Sequence, residues 1–207
     1  PLSNPEGEII GLLSVSRDIS ERKDYERALL HHVFLDDLTG LPNRALFMDR
    51  LDVLMRRTER LEGYLFGVIF LDLDHFKMVN GSLGHMAGDE LVVAVAKRLR
   101  ESVRNVDTVA RIGGDEFSIR LDGIDGKNQL VSILDRIQSR LNEPLLLGGQ
   151  DVFVSASMDS VIGSQTGKES EDIVHHADAA MYRAKARGRN RYEIFEQTMH
   201  LEGSKVK

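Results

Sequence analysis

The residues best suited to chemistry in this chain are acids placed beside glycines or at the end of an apolar run, with lysines and arginines spaced to meet phosphate. The densest group is Arg111-Ile112-Gly113-Gly114-Asp115-Glu116-Phe117. Adjacent carboxylates repel one another unless a cation lies between them. Two glycines permit the positive φ of a tight turn and let a ligand come close to the backbone. Asp72 and Asp74 follow the nearly continuous apolar run Leu65, Phe66, Val68, Ile69, Phe70 and Leu71, where carboxylates buried without a cation would be costly. Together these acids suggest a divalent-cation and phosphate site, with solvated turn acids as the plain alternative.

The elements that must position these groups are legible from periodicity. Thr108 to Ile112 and Phe117 to Leu121 read as a hairpin with the glycines at its tip, and Tyr64 to Leu71 as a strand buried on both faces, with Asp72 and Asp74 just beyond it. Helices are expected from Pro42 or Asn43 with Phe47, Leu51, Leu54 and Met55 on one side, from Ala87 to Val103, from Asn128 to Asn142, and from Ser170 to Ala186. Asp89 and Glu90 would then lie in a first turn, where the helix dipole favours acids. Strands are expected over Pro144 to Leu147, Val152 to Ser157 and Arg191 to Phe195, the first two separated by Gly148-Gly149. Strand, helix, hairpin, helix, strands, helix, strand describes an α/β (α+β) fold: a central, mostly antiparallel sheet flanked by helices.

Composition sets outer limits. The chain has 207 residues, 42% apolar and 29% charged, enough for one α/β core and a smaller appendage. A net charge of -6 argues against a general nucleic-acid binder, so local cations must bind any phosphate. The absence of cysteine fits a reducing compartment; the expected location is cytoplasmic, with a membrane tether elsewhere in the full-length protein as the alternative. No apolar run is long enough to span a bilayer, and no membrane contact is expected of this stretch. The first residue, Pro1, falls in mid-pattern, as in a piece of a longer protein. Gly7 to Ser16 alternates like a strand with no partner nearby, which implies a missing sheet. Asp18 with Glu21 is a plausible capping box opening a helix whose Tyr25, Leu29 and Val33 suit either pairing with a copy of itself or packing on its own domain.

Gly113-Gly114-Asp115-Glu116-Phe117 is the signature of the GGDEF family, the diguanylate cyclases, and the resemblance extends from about Asp36 to Phe195. Asp37-Leu38-Thr39-Gly40-Leu41-Pro42-Asn43-Arg44 resembles the family's opening motif; Asp72-Leu73-Asp74-His75-Phe76-Lys77 with Asn80, its second; Gly84-His85 with Gly88-Asp89, its third; and Ala184-Lys185 with Gly188-Arg189-Asn190, its last. The resemblance implies a palm-like fold related to nucleotidyl cyclase catalytic cores. Residues 1–17 resemble the end of a PAS sensor domain, 18–35 its output helix, 36–196 the GGDEF domain, and 197–207 a tail like that preceding an EAL domain.

What the resemblance implies chemically is synthesis of cyclic di-GMP from two GTP molecules, with release of two pyrophosphates. Asp72, the Leu73 carbonyl and Asp115 would hold magnesium, or manganese in its place, and Glu116 would be either a further ligand or the general base. Lys77, Lys185 and Arg189 would contact phosphates, although cations at a helix C-terminus also complement its dipole. Gly113 and Gly114 would let the triphosphate lie on the hairpin. Asn80 and Asp89 would read guanine, a carboxylate accepting from both N1 and N2. His85 would border the nucleotide or serve the fold. One GTP per domain requires a homodimer. Arg104-Asn105-Val106-Asp107 matches the family's product-inhibition motif, with a helix-end salt bridge as the alternative. Two positions depart from the family: Gly81 stands where aspartate is common, and Ser157-Met158-Asp159 where Ser-Ile-Gly is common. Asp159 would strain a position needing positive φ or add negative charge to the cleft. An inactive domain that binds GTP or cyclic di-GMP for a neighbouring domain is the alternative function.

Overall fold

The computed structural model describes residues 2–11, 32–163, 185 and 188–195. The chain divides into the units Pro1–His32 and Val33–Lys207. In the first, β1 (Leu2–Ser3) and β2 (Ile9–Gly11) pair antiparallel. Asn4 closes their loop: its amide donates to Glu8 O at 2.9 Å, and its Oδ1 accepts from Glu8 N at 2.8 Å. The strand expected to lack a partner therefore has one in the residues just before it, which are too few to show alternation. The reading of residues 18–35 as a linker helix falls largely outside the described residues, as does the 197–207 tail.

The second unit is built on a five-stranded sheet ordered β4-β5-β3-β8-β9, formed by β3 (Phe66–Leu73), β4 (Thr108–Gly113), β5 (Glu116–Leu121), β8 (Ala156–Gly163) and β9 (Tyr192–Phe195). All pairings are antiparallel except β8 with β9. Alternation along β3 divides the core. Ile69, Leu71 and Leu73 face Leu91, Val95 and Leu99 of α3 (His85–Glu101) and Leu130, Leu134 and Ile137 of α4 (Lys127–Leu141). Phe66, Val68 and Phe70 face Phe47, Leu51 and Leu54 of α1 (Arg44–Arg60). Asn43 starts α1 by accepting from Leu46 N. The mixed α/β fold with a mostly antiparallel sheet is as expected.

Four boundaries differ from expectation. Strand β3 continues through Asp72 and Leu73 because its ladders to β5 and β8 continue there. A short helix, α2 (Phe76–Leu83), follows it and includes Gly81. Helix α3 begins at His85, which leaves Asp89 and Glu90 beyond its first turn, where the dipole does not account for them. The run read as Val152 to Ser157 splits: Gly148-Gly149 turns β6 (Leu145–Leu147) into β7 (Gln150–Val152), and Ala156 opens the separate, largely buried β8. The helix expected over Ser170 to Ala186 lies outside the described residues except for Lys185.

Candidate active site

The extension of β3 sets the site. In the ladder, Asp72 stands opposite Glu116 of β5 on one side and Ser157 of β8 on the other. Leu73 N donates to Asp115 O at 3.2 Å, tying the strand end to the hairpin tip. Asp72, Leu73, Asp115 and Glu116 are thus brought to one end of the central strands. Asp72 is buried, and its Oδ2 lies 2.7 Å from Lys185 Nζ. Burial raises the Asp72 carboxyl above the usual carboxylate range; the Lys185 hydrogen bond and charge oppose this, while Asp115 and Asp74 add to it. An ammonium already sits where negative charge gathers, so the oxygen donors suit a hard cation. Among the described residues no three His, Cys, Asp or Glu side chains cluster as a ready-made metal site. Asp72, Asp115 and Glu116, with the Leu73 carbonyl, are the oxygen donors that this strand end could offer a cation.

The hairpin tip is bare at both glycines. Gly114 has φ +47°, a conformation that favours glycine. Gly113 lacks that constraint, and a Cβ on it would meet nothing within 4 Å. Its bareness therefore has no packing reason among the described residues. Arg111, unassigned from sequence, fixes the turn by donating to Gly114 O from Nε at 3.1 Å and Nη2 at 2.8 Å.

Helices α2 and α3 carry the expected guanine readers. Asn80 Oδ1 is buried without a hydrogen-bond partner. It lies against Gly88, where a Cβ would collide with it. A buried acceptor left open is costly unless a ligand fills it. Asp89, His85 and Lys77 are exposed on these helices.

The readings of Asp74 and Asp159 change, and Arg104 with Asp107 is placed at the end of α3. Asp74 has both oxygens engaged: Oδ1 accepts from Ser157 Oγ at 2.7 Å, and Oδ2 from Ser155 Oγ at 2.7 Å and Asn190 N at 3.0 Å. It is therefore satisfied without a cation. Asp159, opposite Phe70 and beside Glu193, is fully buried within β8 and is not among the residues at positive φ, so it neither strains the turn nor lines the cleft. Arg104 and Asp107 form the helix-end ion pair at 3.5 Å. Asp107 Oδ2 also accepts from Arg104 N at 2.9 Å and Oδ1 from Asp122 N at 3.1 Å, while the Arg104 side chain stays 46% exposed. Beside it, a cavity of about 330 Å³ is lined by Arg50, Arg100 and Arg104 over Leu41, Pro42 and Val109.

The model of the family described as "Diguanylate cyclase, GGDEF domain" matches residues 33–191. This chain belongs to the GGDEF domain family. Relatives of the domain include the diguanylate cyclase TpbB of Pseudomonas aeruginosa, 35% identical over 175 residues, covering 84% of this chain and 40% of that protein. The bifunctional diguanylate cyclase/cyclic di-GMP phosphodiesterase MucR of the same species is 38% identical over 174 residues, 84% of this chain and 25% of MucR. The cyclic di-GMP phosphodiesterase PdeR of Escherichia coli is 34% identical over 191 residues, 92% of this chain and 28% of PdeR. The chain spans about a quarter of the length of MucR and PdeR. Among solved structures, the TpbB GGDEF domain aligns with TM-score 0.75 at 36% identity, over 78% of this chain and 94% of that one. The coiled coil and GGDEF domain of DgcB from Caulobacter crescentus, in complex with c-di-GMP, aligns with TM-score 0.77 at 25% identity, over 86% and 93%. The GGDEF fold and its link to cyclic di-GMP synthesis are thus established for the family to which this domain belongs.

Proposed function

We propose that this GGDEF domain is a diguanylate cyclase that condenses two GTP molecules into cyclic di-GMP and releases two pyrophosphates. The observation that carries this reading is the meeting of Asp72 with the Gly113–Glu116 hairpin at one strand end. In each half-reaction a ribose 3′-oxygen bonds to the α-phosphorus of the other nucleotide, the bond from that phosphorus to the bridging oxygen breaks, and pyrophosphate leaves. The protein must align the two groups, neutralise developing charge and take the hydroxyl proton. Asp72, the Leu73 carbonyl, Asp115 and Glu116 would hold magnesium, or manganese in its place. Bound there, the ion supplies charge neutralisation at the phosphates.

Glu116, exposed and opposite Asp72, serves as a further ligand or takes the 3′-hydroxyl proton. Lys77, Lys185 and Arg189 hold phosphate oxygens, and bare Gly113 and Gly114 let the triphosphate rest on the turn. Asp89 accepts from guanine N1 and N2, and Asn80 adds a donor and an acceptor for the base. His85 borders the nucleotide. One GTP per domain makes a homodimer the active unit. Arg104, oriented by Asp107, binds the cyclic product and slows the reaction.

For the whole protein, we read residues 1–17 as the end of a PAS-like sensor, 18–35 as the helix through which two copies pair, 36–196 as the cyclase, and 197–207 as the approach to an EAL domain. The family match begins at residue 33, beside the division between His32 and Val33, which supports a boundary there. No helix among the described residues is long and apolar enough to cross a membrane. A cytoplasmic location follows from the reaction's use of GTP. The second reading, a GTP- or cyclic di-GMP-binding regulatory domain, is favoured by the likeness to PdeR, a cyclic di-GMP phosphodiesterase.

Incubation of the purified chain with GTP and magnesium at low and high protein concentration, followed by nucleotide chromatography, tests the proposal. Cyclic di-GMP should appear with a rate per protein that rises with concentration. GTP left unchanged at every concentration, with calorimetry still showing it bound, would favour the regulatory reading.

A further inference from the structure

We propose that Asp74 is a positioning residue for Arg189, holding that cation toward the phosphates through the backbone of Asn190. The inference rests on the reading of Arg189 as a phosphate contact. Asp74 is 5% exposed, and its three donors come from two parts of the chain: Ser155 and Ser157 at the start of β8, and Asn190 just before β9. A buried carboxylate satisfied by hydroxyl and amide donors is a strong acceptor that needs no counterion. The carboxylate two residues beyond Asp72 therefore anchors chain rather than metal.

The anchored segment needs holding. Arg189 and Asn190 have φ +59° and +47°, consecutive non-glycine residues in the left-handed region, a conformation that persists only where surroundings over-determine it. Asp74 accepts from the Asn190 amide, Gln138 Nε2 donates to Asn190 Oδ1 at 3.1 Å, and Met158 N donates to Arg191 O at 2.9 Å. The Arg189 side chain remains exposed beside these fixed points. One strand end thus carries Asp72, facing Lys185, and Asp74, fixing the segment that presents Arg189.

Asp74→Asn keeps one acceptor but sets an NH₂ group against one of the donors. Binding is measured with the α,β-methylene analogue of GTP, in which the bond to be broken is blocked, and with guanosine, which has no phosphate, by NMR titration. Asp74→Asn should weaken the analogue about tenfold, as expected for a charged hydrogen bond lost, and leave guanosine unchanged. Arg189→Ala should do the same, and the double variant should be no weaker than either alone. Ser157→Ala, a gentler change, should show the same selective loss at smaller size and carries the comparison if Asp74→Asn does not fold. Parallel weakening of guanosine, additive losses in the double variant, or unchanged analogue binding in Asp74→Asn or in a folded Ser157→Ala would overturn the inference. Undiminished analogue binding by Arg189→Ala would instead overturn the phosphate assignment, and the inference with it.

Discussion

Arg111 Nη1 lies 3.1 Å from both carboxylate oxygens of Asp36, while the same guanidinium donates to Gly114 O. One side chain thereby joins the loop that enters the domain to the turn that carries Asp115. The join is reinforced nearby: Thr39 donates to Asp36 Oδ1 from its amide at 2.9 Å and its hydroxyl at 2.6 Å, and Arg111 N donates to Pro42 O at 2.9 Å. The Arg111 and Asp36 side chains are 13% and 23% exposed, so water weakens this pair less than it would a surface one.

Breaking this join should destabilise the domain measurably. Burial alone would raise the Asp36 carboxyl, but the Thr39 hydroxyl and amide and the Arg111 charge outweigh it and hold the group below its usual value of 3.8. A carboxyl lowered by folding stabilises the native state above the unfolded value, and that contribution disappears as pH falls through the folded value. Asp36→Asn should lose about 2 kcal/mol near neutral pH, as for a charged hydrogen bond removed, and show a flatter decline of thermal midpoint below about pH 4. Equal melting curves for both proteins across that range would refute the assignment.

Glu116→Gln should abolish product formation, with turnover falling by about 10²–10⁴, the usual worth of a positioned acid–base group. GTP binding should largely survive, because Asn80, Asp89 and the cations remain. Chromatography of the products with calorimetry on the same sample checks both halves. Unreduced turnover would remove Glu116 from the chemistry.

How much of this was legible in sequence depends on where burial followed polarity. The β3 run and the stripes of α1, α3 and α4 were readable because their apolar periods match the faces they bury. Strand β8 was not, since Ser157, Asp159 and Ser160 look like loop yet are fully buried. Ser157 is satisfied by Asp74, which is distant in sequence. Helix α2 escaped notice because it is short and has no fully buried residue to set a period. The acids proposed as catalytic stand out by their motif, whereas Asp36 with Arg111 depends on a contact across 75 positions. Asp74 was visible as an acid near the site, but only the fold shows that both of its oxygens are taken.

The residues proposed to read guanine give a prediction about packing. Because a Cβ on Gly88 would collide with Asn80 Oδ1, Gly88→Ala should push the Asn80 side chain aside and weaken GTP about tenfold, the cost of a lost hydrogen bond to the base. Asp89→Ala should weaken GTP more and narrow its advantage over ATP, since adenine offers no paired N1 and N2 donors. Competitive binding of the two nucleotides measures this. Unchanged selectivity in Asp89→Ala would move base recognition elsewhere.

The product-inhibition role proposed for Arg104 would separate regulation from turnover. Its guanidinium lies at the end of α3, beside the cavity with Arg50 and Arg100, and Asp107 spends its own oxygens on Arg104 and the Asp122 amide. On the proposed reading the arginine fork would meet a phosphodiester of the product, with Asp107 orienting it. Arg104→Ala should keep the initial rate within about twofold while weakening inhibition by added cyclic di-GMP at least about tenfold, as expected when a charged hydrogen bond is lost. Asp107→Asn should weaken inhibition as well, and should also lower the thermal midpoint, because it disturbs the bond to Asp122. Progress curves with and without added product, read beside melting curves, distinguish the two effects. Inhibition unaltered in both variants would place the brake outside this segment.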